Sequence, residues 1–136
     1  MRLTPYLSFN GQCEPALKFY ERCLGGKIVW MMTYAESPMA AQVPPEWGKK
    51  IMHATFSLAD QTFGAADAPP SSYRSPQGLS LRLHIDAPAE AERVWAMLAE
   101  KGTVQMPLQE TFWAHRFGVL TDQFGTPWLI QCEKPT

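Results

Sequence analysis

An α+β fold made of two tandem βαβββ modules is what this 136-residue sequence predicts. Three observations carry that expectation. A strand followed by a helix occurs twice, 75 residues apart. Each helix has a proline at its start and a glycine at its end, and each is followed by short extended runs separated by turn residues.

Pro5-Tyr6-Leu7-Ser8-Phe9 is the first extended run. After Asn10-Gly11-Gln12, the stretch from Cys13 to Leu24 sets Ala16, Leu17, Phe19, Tyr20, Cys23 and Leu24 at the spacing of a half-buried helix. Pro15 lies in its first turn, and Gly25-Gly26 supplies the stop. Extended segments follow at 27–34, 51–59 and 62–66, the last two joined by an Asp60-Gln61 turn. The second copy opens with Leu79 to Ile85, passes Asp86-Ala87-Pro88 and continues as a helix over Ala89 to Lys101. Ala91, Val94, Trp95 and Leu98 share one of its faces, matching Ala16, Phe19, Tyr20 and Cys23, and Gly102 is its stop. Strands at 103–109, 112–121 and 127–132 follow, with Asp122-Gln123-Phe124-Gly125 as a turn. Two stretches interrupt the pattern. Glu36 to Lys50 carries three prolines and Trp47 and reads as a long loop, while 67–78 reads as the connection between a first module at 1–66 and a second at 79–136, together one domain over 1–136.

Hydrophobic content of 46% is enough for a real core, yet either half alone would be marginal. Net charge is −1 and the longest basic run is Lys49-Lys50, so neither nucleic acid nor an anionic membrane is an expected partner. No stretch approaches the ~20 apolar residues of a membrane span. The opening Met1-Arg2-Leu3-Thr4-Pro5 does not read as a signal peptide, and a cytoplasmic location is expected. Cys13 and Cys23, ten residues apart on one helix, would be separated by roughly 15 Å at the helical rise, too far for a disulfide. Reduced thiols are expected, with Cys132 as a small core residue on the last strand.

Beyond this layout, particular residues carry a resemblance. The opening Pro5-Tyr6-Leu7-Ser8-Phe9 with Ala16-Leu17-Lys18-Phe19-Tyr20 resembles the vicinal oxygen chelate superfamily, the glyoxalase and bleomycin-resistance fold. The run Gln109-Glu110-Thr111-Phe112-Trp113-Ala114-His115-Arg116-Phe117-Gly118, followed by Thr121-Asp122-Gln123-Phe124-Gly125-Thr126-Pro127-Trp128, is similar to its PhnB-like branch. Members of that branch often carry a 3-demethylubiquinone-methyltransferase-like label. The resemblance implies a mixed sheet curled into a cup with helices outside, a homodimer, and a small-molecule ligand of unknown identity.

In metal-dependent relatives one ligand comes from each of four strands. Carried over, those positions land on Pro5, near Gly64 to Ala66, on Ser80 and on Leu129, which are poor donors for a divalent ion, so no metal is expected. No cofactor is expected either, since the chain has no G-x-G turn with which to hold S-adenosylmethionine in the usual way.

Within the implied cup, strand alternation turns Ser80, Arg82 and His84 inward, and in the first copy Pro5, Leu7 and Phe9. Phe9, His53, Arg82, His84, Trp113 and Arg116 are the candidate ligand-binding residues. Arg82 is suited to an anionic group through its planar fork, or alternatively to a structural ion pair. His53, His84 and His115 read either as separate hydrogen-bonding residues or as a shared metal site. Glu110 and His115 are candidates for an acid/base pair, whereas Trp113 and Arg116 fit equally a dimer anchor and an ion-pair partner. Three functions stay open: a metal-free small-molecule binder, an enzyme (a lyase or isomerase, an acid/base catalyst, or the labelled methyltransferase), and a structural or regulatory homodimer whose cup is filled by its own 36–50 loop.

Overall fold

The computed structural model describes residues 1–134, and the chain divides after Arg74 into two compact units. Unit 1 contains β1 (Tyr6–Phe9), α1 (Cys13–Leu24), β2 (Lys27–Thr33), β3 (Ile51–Leu58) and β4 (Gln61–Asp67). Unit 2 contains β5 (Leu81–His84), α2 (Pro88–Leu98), β6 (Thr103–Gln109), β7 (Ala114–Thr121) and β8 (Pro127–Glu133). The strand orders are β1-β4-β3-β2 and β5-β8-β7-β6. In each unit three strands form an antiparallel meander, and its last member pairs in parallel with the strand that preceded the helix. The βαβββ repeat is therefore present as two mixed four-stranded sheets.

In unit 1 the apolar stripe of α1 covers one face of the sheet: Cys13, Ala16, Leu17, Phe19, Tyr20 and Cys23 are buried. The sheet answers with Leu7, Phe9, Ala54, Phe56 and Ala65. Tyr20 meets Phe9 at 6.4 Å and stands edge-on to Phe56 at 6.5 Å between ring centroids. This corrects the expected facing of β1. Leu7 and Phe9 point to the helix, so Phe9 is a core residue 1% exposed, while Tyr6 and Ser8 occupy the opposite face. Because Pro5, Tyr6, Leu7 and Phe9 are all nonpolar in character, alternation alone left the face undetermined; packing against α1 decides it.

One buried carboxylate ties unit 1 together. Gln12 offers α1 no side-chain cap. Asp67, at the end of β4, instead accepts the Cys13 amide on Oδ1 at 2.8 Å and the Ile51 amide on Oδ2 at 2.9 Å, and its backbone carbonyl accepts the Tyr34 hydroxyl at 2.8 Å. Composition placed Asp67 in the connection, whereas its side chain is 1% exposed. The long loop after β2 carries two short 3₁₀ turns, Ala40–Gln42 and Pro45–Trp47. It is fastened where α1 begins: Lys50 donates to the Gly11 carbonyl at 2.8 Å, and Trp47 lies between Tyr34 and the Lys50 ammonium.

Unit 2 repeats the plan with Ala91, Val94 and Leu98 of α2 against Ala114, Leu120, Trp128, Ile130 and Cys132. Asp122 organises the β7–β8 turn, accepting the amides of Phe124 and Thr126 and, at 2.8 Å, the indole N–H of Trp128. The helix ends earlier than expected, and Lys101, not Gly102, takes the left-handed conformation with φ 58°. Gly102 is needed for another reason: a Cβ there would stand 2.6 Å from the Thr121 carbonyl oxygen, as one on Gly26 would stand 2.5 Å from that of Ser57. Strand β7 starts at Ala114 because Thr111 closes a turn around Phe112-Trp113, its amide donating to the Ala114 carbonyl at 3.0 Å and its hydroxyl accepting the Ala114 amide at 3.0 Å. The β3–β4 turn is Ala59-Asp60, one residue earlier than its expected place, with Leu58 paired to Gln61.

All three cysteines are buried, and none forms a disulfide among the described residues. Burial pushes the Cys13 thiol far above its ordinary pKa, with the charges of Asp67 and Glu14 adding to the effect, which leaves it unreactive. No helix among the described residues is long and apolar enough to cross a membrane.

Candidate functional site

With α1 or α2 covering one face of each sheet, the opposite, open face is where a ligand can meet strand side chains. Residues paired in register share a face. On unit 2 this defines two rows running across the strands, Met106–Val119–Leu129–Arg82 and Gln109–Phe117–Gln131–His84. Arg82 and His84 thus lie together on the edge strand β5, as alternation predicts, beside an otherwise largely apolar surface. Arg82 is exposed and, among the described residues, makes neither hydrogen bond nor ion pair. His84 approaches Glu133 at 3.5 Å. Trp113 stands edge-on to Phe117 at 5.2 Å and to Phe112 at 4.7 Å, which brings it onto the same face.

The remaining candidates separate from this group. A register shift between Ala114 and Arg116 breaks the alternation of β7 and leaves Arg116 opposite the buried Cys132. Its guanidinium reaches Glu92 of α2 at 3.0 Å, so Arg116 acts as a strut between helix and sheet. Glu110 is held by Lys134 at 3.0 Å, and this hydrogen bond and charge, with smaller help from His115 and Arg116, keep its carboxyl below the ordinary range. A general acid or base working near neutrality needs the opposite shift, and no hydrogen bond joins Glu110 to His115.

On unit 1 the open face carries Tyr6, Gly64, Thr55 and Trp30 in one row, with Ser8, Ala66, His53 and Met32 beside it. Tyr6 Oη and His53 Nδ1 are 3.0 Å apart. Their rings stack at 5.6 Å, and Trp30 approaches His53 at 5.4 Å. His53 was legible as a candidate; Tyr6 was missed because β1 was read one residue out of phase. The signal was available in the second copy, where Arg82 and His84 match Tyr6 and Ser8 once Leu83 is laid on Leu7.

Of the positions carried over above from metal-dependent relatives, Pro5, Gly64, Ala66 and Leu129 have no side-chain donor and Ser80 offers a lone hydroxyl, so this set does not fit a resident divalent ion. Among the described residues no three His, Cys, Asp or Glu side chains are grouped to hold one.

A family model for 3-demethylubiquinone-9 3-methyltransferase matches residues 1–131. The chain belongs to that family. Its relatives include Protein YjdN of Escherichia coli strain K12, 38% identical over 98% of this chain and 97% of YjdN. The crystal structure of PA1353 from Pseudomonas aeruginosa superposes with a TM-score of 0.89 at 42% identity, covering 99% of both chains. The PhnB protein of Bacillus cereus, which bears the family's methyltransferase description, gives 0.83 at 28% identity over 97% of this chain and 99% of that one. A glyoxylase/bleomycin resistance protein/dioxygenase domain from Frankia sp. EAN1pec, at 11% identity and a TM-score of 0.68 over 98% of each chain, shares the fold alone. The PhnB-like resemblance and the glyoxalase/bleomycin-resistance fold are thereby established.

Proposed function

We propose that this family member is a metal-independent binding protein for a small anionic molecule, held on the open face of unit 2. The observation that carries the reading is Arg82: a guanidinium without an ion-pair partner among the described residues, beside Leu129, Val119 and Met106 and on the same face as Trp113. An apolar floor with one orienting charge is the usual make-up of a small-molecule site. Arg82 would take a carboxylate or phosphonate through its planar fork, and Trp113 would stack on an attached ring.

A thermal-shift screen of aromatic carboxylates and phosphonates in the presence of EDTA tests this. At least one compound is expected to raise the melting temperature with EDTA present. Stabilisation that appears only after a divalent metal is added, or about one tightly held ion per chain by elemental analysis, would overturn the metal-free reading.

The protein is also proposed to be a two-fold homodimer. Each sheet has two edge strands, and β2 and β6 expose Val29, Val104 and Met106, which pairing or cover would protect. Light scattering at micromolar concentration is expected to give twice the chain mass; a monomer would rule the dimer out.

A further inference from the structure

Strand β3 departs from simple alternation at one point, and the departure gathers soft donor atoms. Met32 pairs with His53 and Thr33 with Ile51, so β3 has one residue more than β2 over this stretch, a β-bulge. Ile51 and Ala54 are buried, at 1% and 0% exposure, while Met52 and His53 between them are half-buried. Met52 and His53 therefore both oppose Met32, on the side of the sheet away from α1. The result is a group of two thioethers and one imidazole.

The imidazole is positioned as a donor. Tyr6 Oη lies 3.0 Å from His53 Nδ1, and Tyr6 reaches it across Gly64, where a Cβ would come within 2.5 Å of the tyrosine ring. When Nδ1–H donates to the Tyr6 oxygen, Nε2 offers its lone pair, and among the described residues Nε2 has no hydrogen-bond partner. Trp30, 45% exposed, approaches the His53 ring at 5.4 Å and brings a π face to the same place, where it can stabilise a cation. Every donor in the group is neutral, and two are soft. Thioethers select Cu(I) over the harder divalent ions, and the flexible methionine side chains can adjust to its coordination. These donors come from β2 and β3, whereas the ligands of metal-dependent relatives come from the first and last strands of each module.

We propose that Met32 Sδ, Met52 Sδ and His53 Nε2 bind one Cu(I) ion on unit 1, with Trp30 covering the ion. The donors bind as neutral groups, so no proton is released and no electron is transferred. A set without thiolate or carboxylate leaves the ion exchangeable, and protein purified without added copper is expected to hold none.

The test is an anaerobic titration of the full chain with Cu(I), supplied as its acetonitrile complex, in competition with the chromophoric chelator bicinchoninate. The protein is expected to withdraw one Cu(I) per chain and to show a new near-ultraviolet difference band from the Trp30 indole. His53→Gln, Met32→Leu and Met52→Leu are each expected to bind roughly tenfold more weakly or more. The two leucine variants keep side-chain volume and should melt close to wild type, which separates lost binding from lost folding. Trp30→Leu is expected to keep the stoichiometry and lose the band. No withdrawal of Cu(I), undiminished binding in both leucine variants, or displacement of the ion by equimolar Zn²⁺ would each overturn the proposal.

Discussion

Replacing Asp67 with alanine is expected to destabilise the protein by about 2–5 kcal/mol, from the loss of a helix cap together with a buried amide left without a partner. The residue joins three elements: its carboxylate accepts from Cys13 at the start of α1 and from Ile51 at the start of β3, and it ends β4. Alanine would leave both amides unsatisfied in a place water cannot easily reach. Urea unfolding measures the effect, with the midpoint falling and the slope unchanged. A loss below about 1 kcal/mol would show that another group takes over both amides.

The same carboxylate has a pH signature. Burial raises its pKa above the ordinary aspartate value, against the opposing pull of the Ile51 and Cys13 amides and of Lys50. A carboxyl whose pKa is higher in the folded than in the unfolded state carries a penalty when ionised. That penalty is present at neutral pH and is relieved as pH falls from the raised value toward the unfolded one. Asp67→Asn, which cannot titrate, is therefore expected to lose more of its stability on acidification across that window than wild type does.

The second large effect is on binding. Arg82→Ala is expected to cost about 1.5–3 kcal/mol of affinity for any anionic compound found in the screen, the worth of a hydrogen bond to a charged group. Its effect on stability should be small, since the side chain is exposed and makes no ion pair among the described residues. Calorimetric titration and thermal melting of the same variant separate the two quantities. A variant that melts early yet binds normally would make Arg82 structural.

The helices were legible because periodicity, proline starts and glycine stops act locally, and both turned out within a few residues of their expected bounds. Local pattern could not choose the face of β1, where neighbouring nonpolar side chains compete and the decision belongs to α1. It could not find Asp67 as a cap either, because the amide it caps is 54 residues distant. Arg116 stayed open between a ligand contact and an ion-pair partner for a related reason. The shift in β7 that turns it toward Glu92 is a property of strand pairing, with no turn residue to announce it. Arg82 and His84 were placed on their face correctly because Leu81, Leu83 and Ile85 alternate with them without interruption.

A crystal structure of the protein with its best anionic binder, grown in EDTA, tests the central claim most directly. The predicted result is density for the compound on the open face of unit 2, its anionic group within hydrogen-bond distance of the Arg82 guanidinium and no metal beside it. Density for a coordinated ion, or for the compound bound away from Arg82, would contradict it.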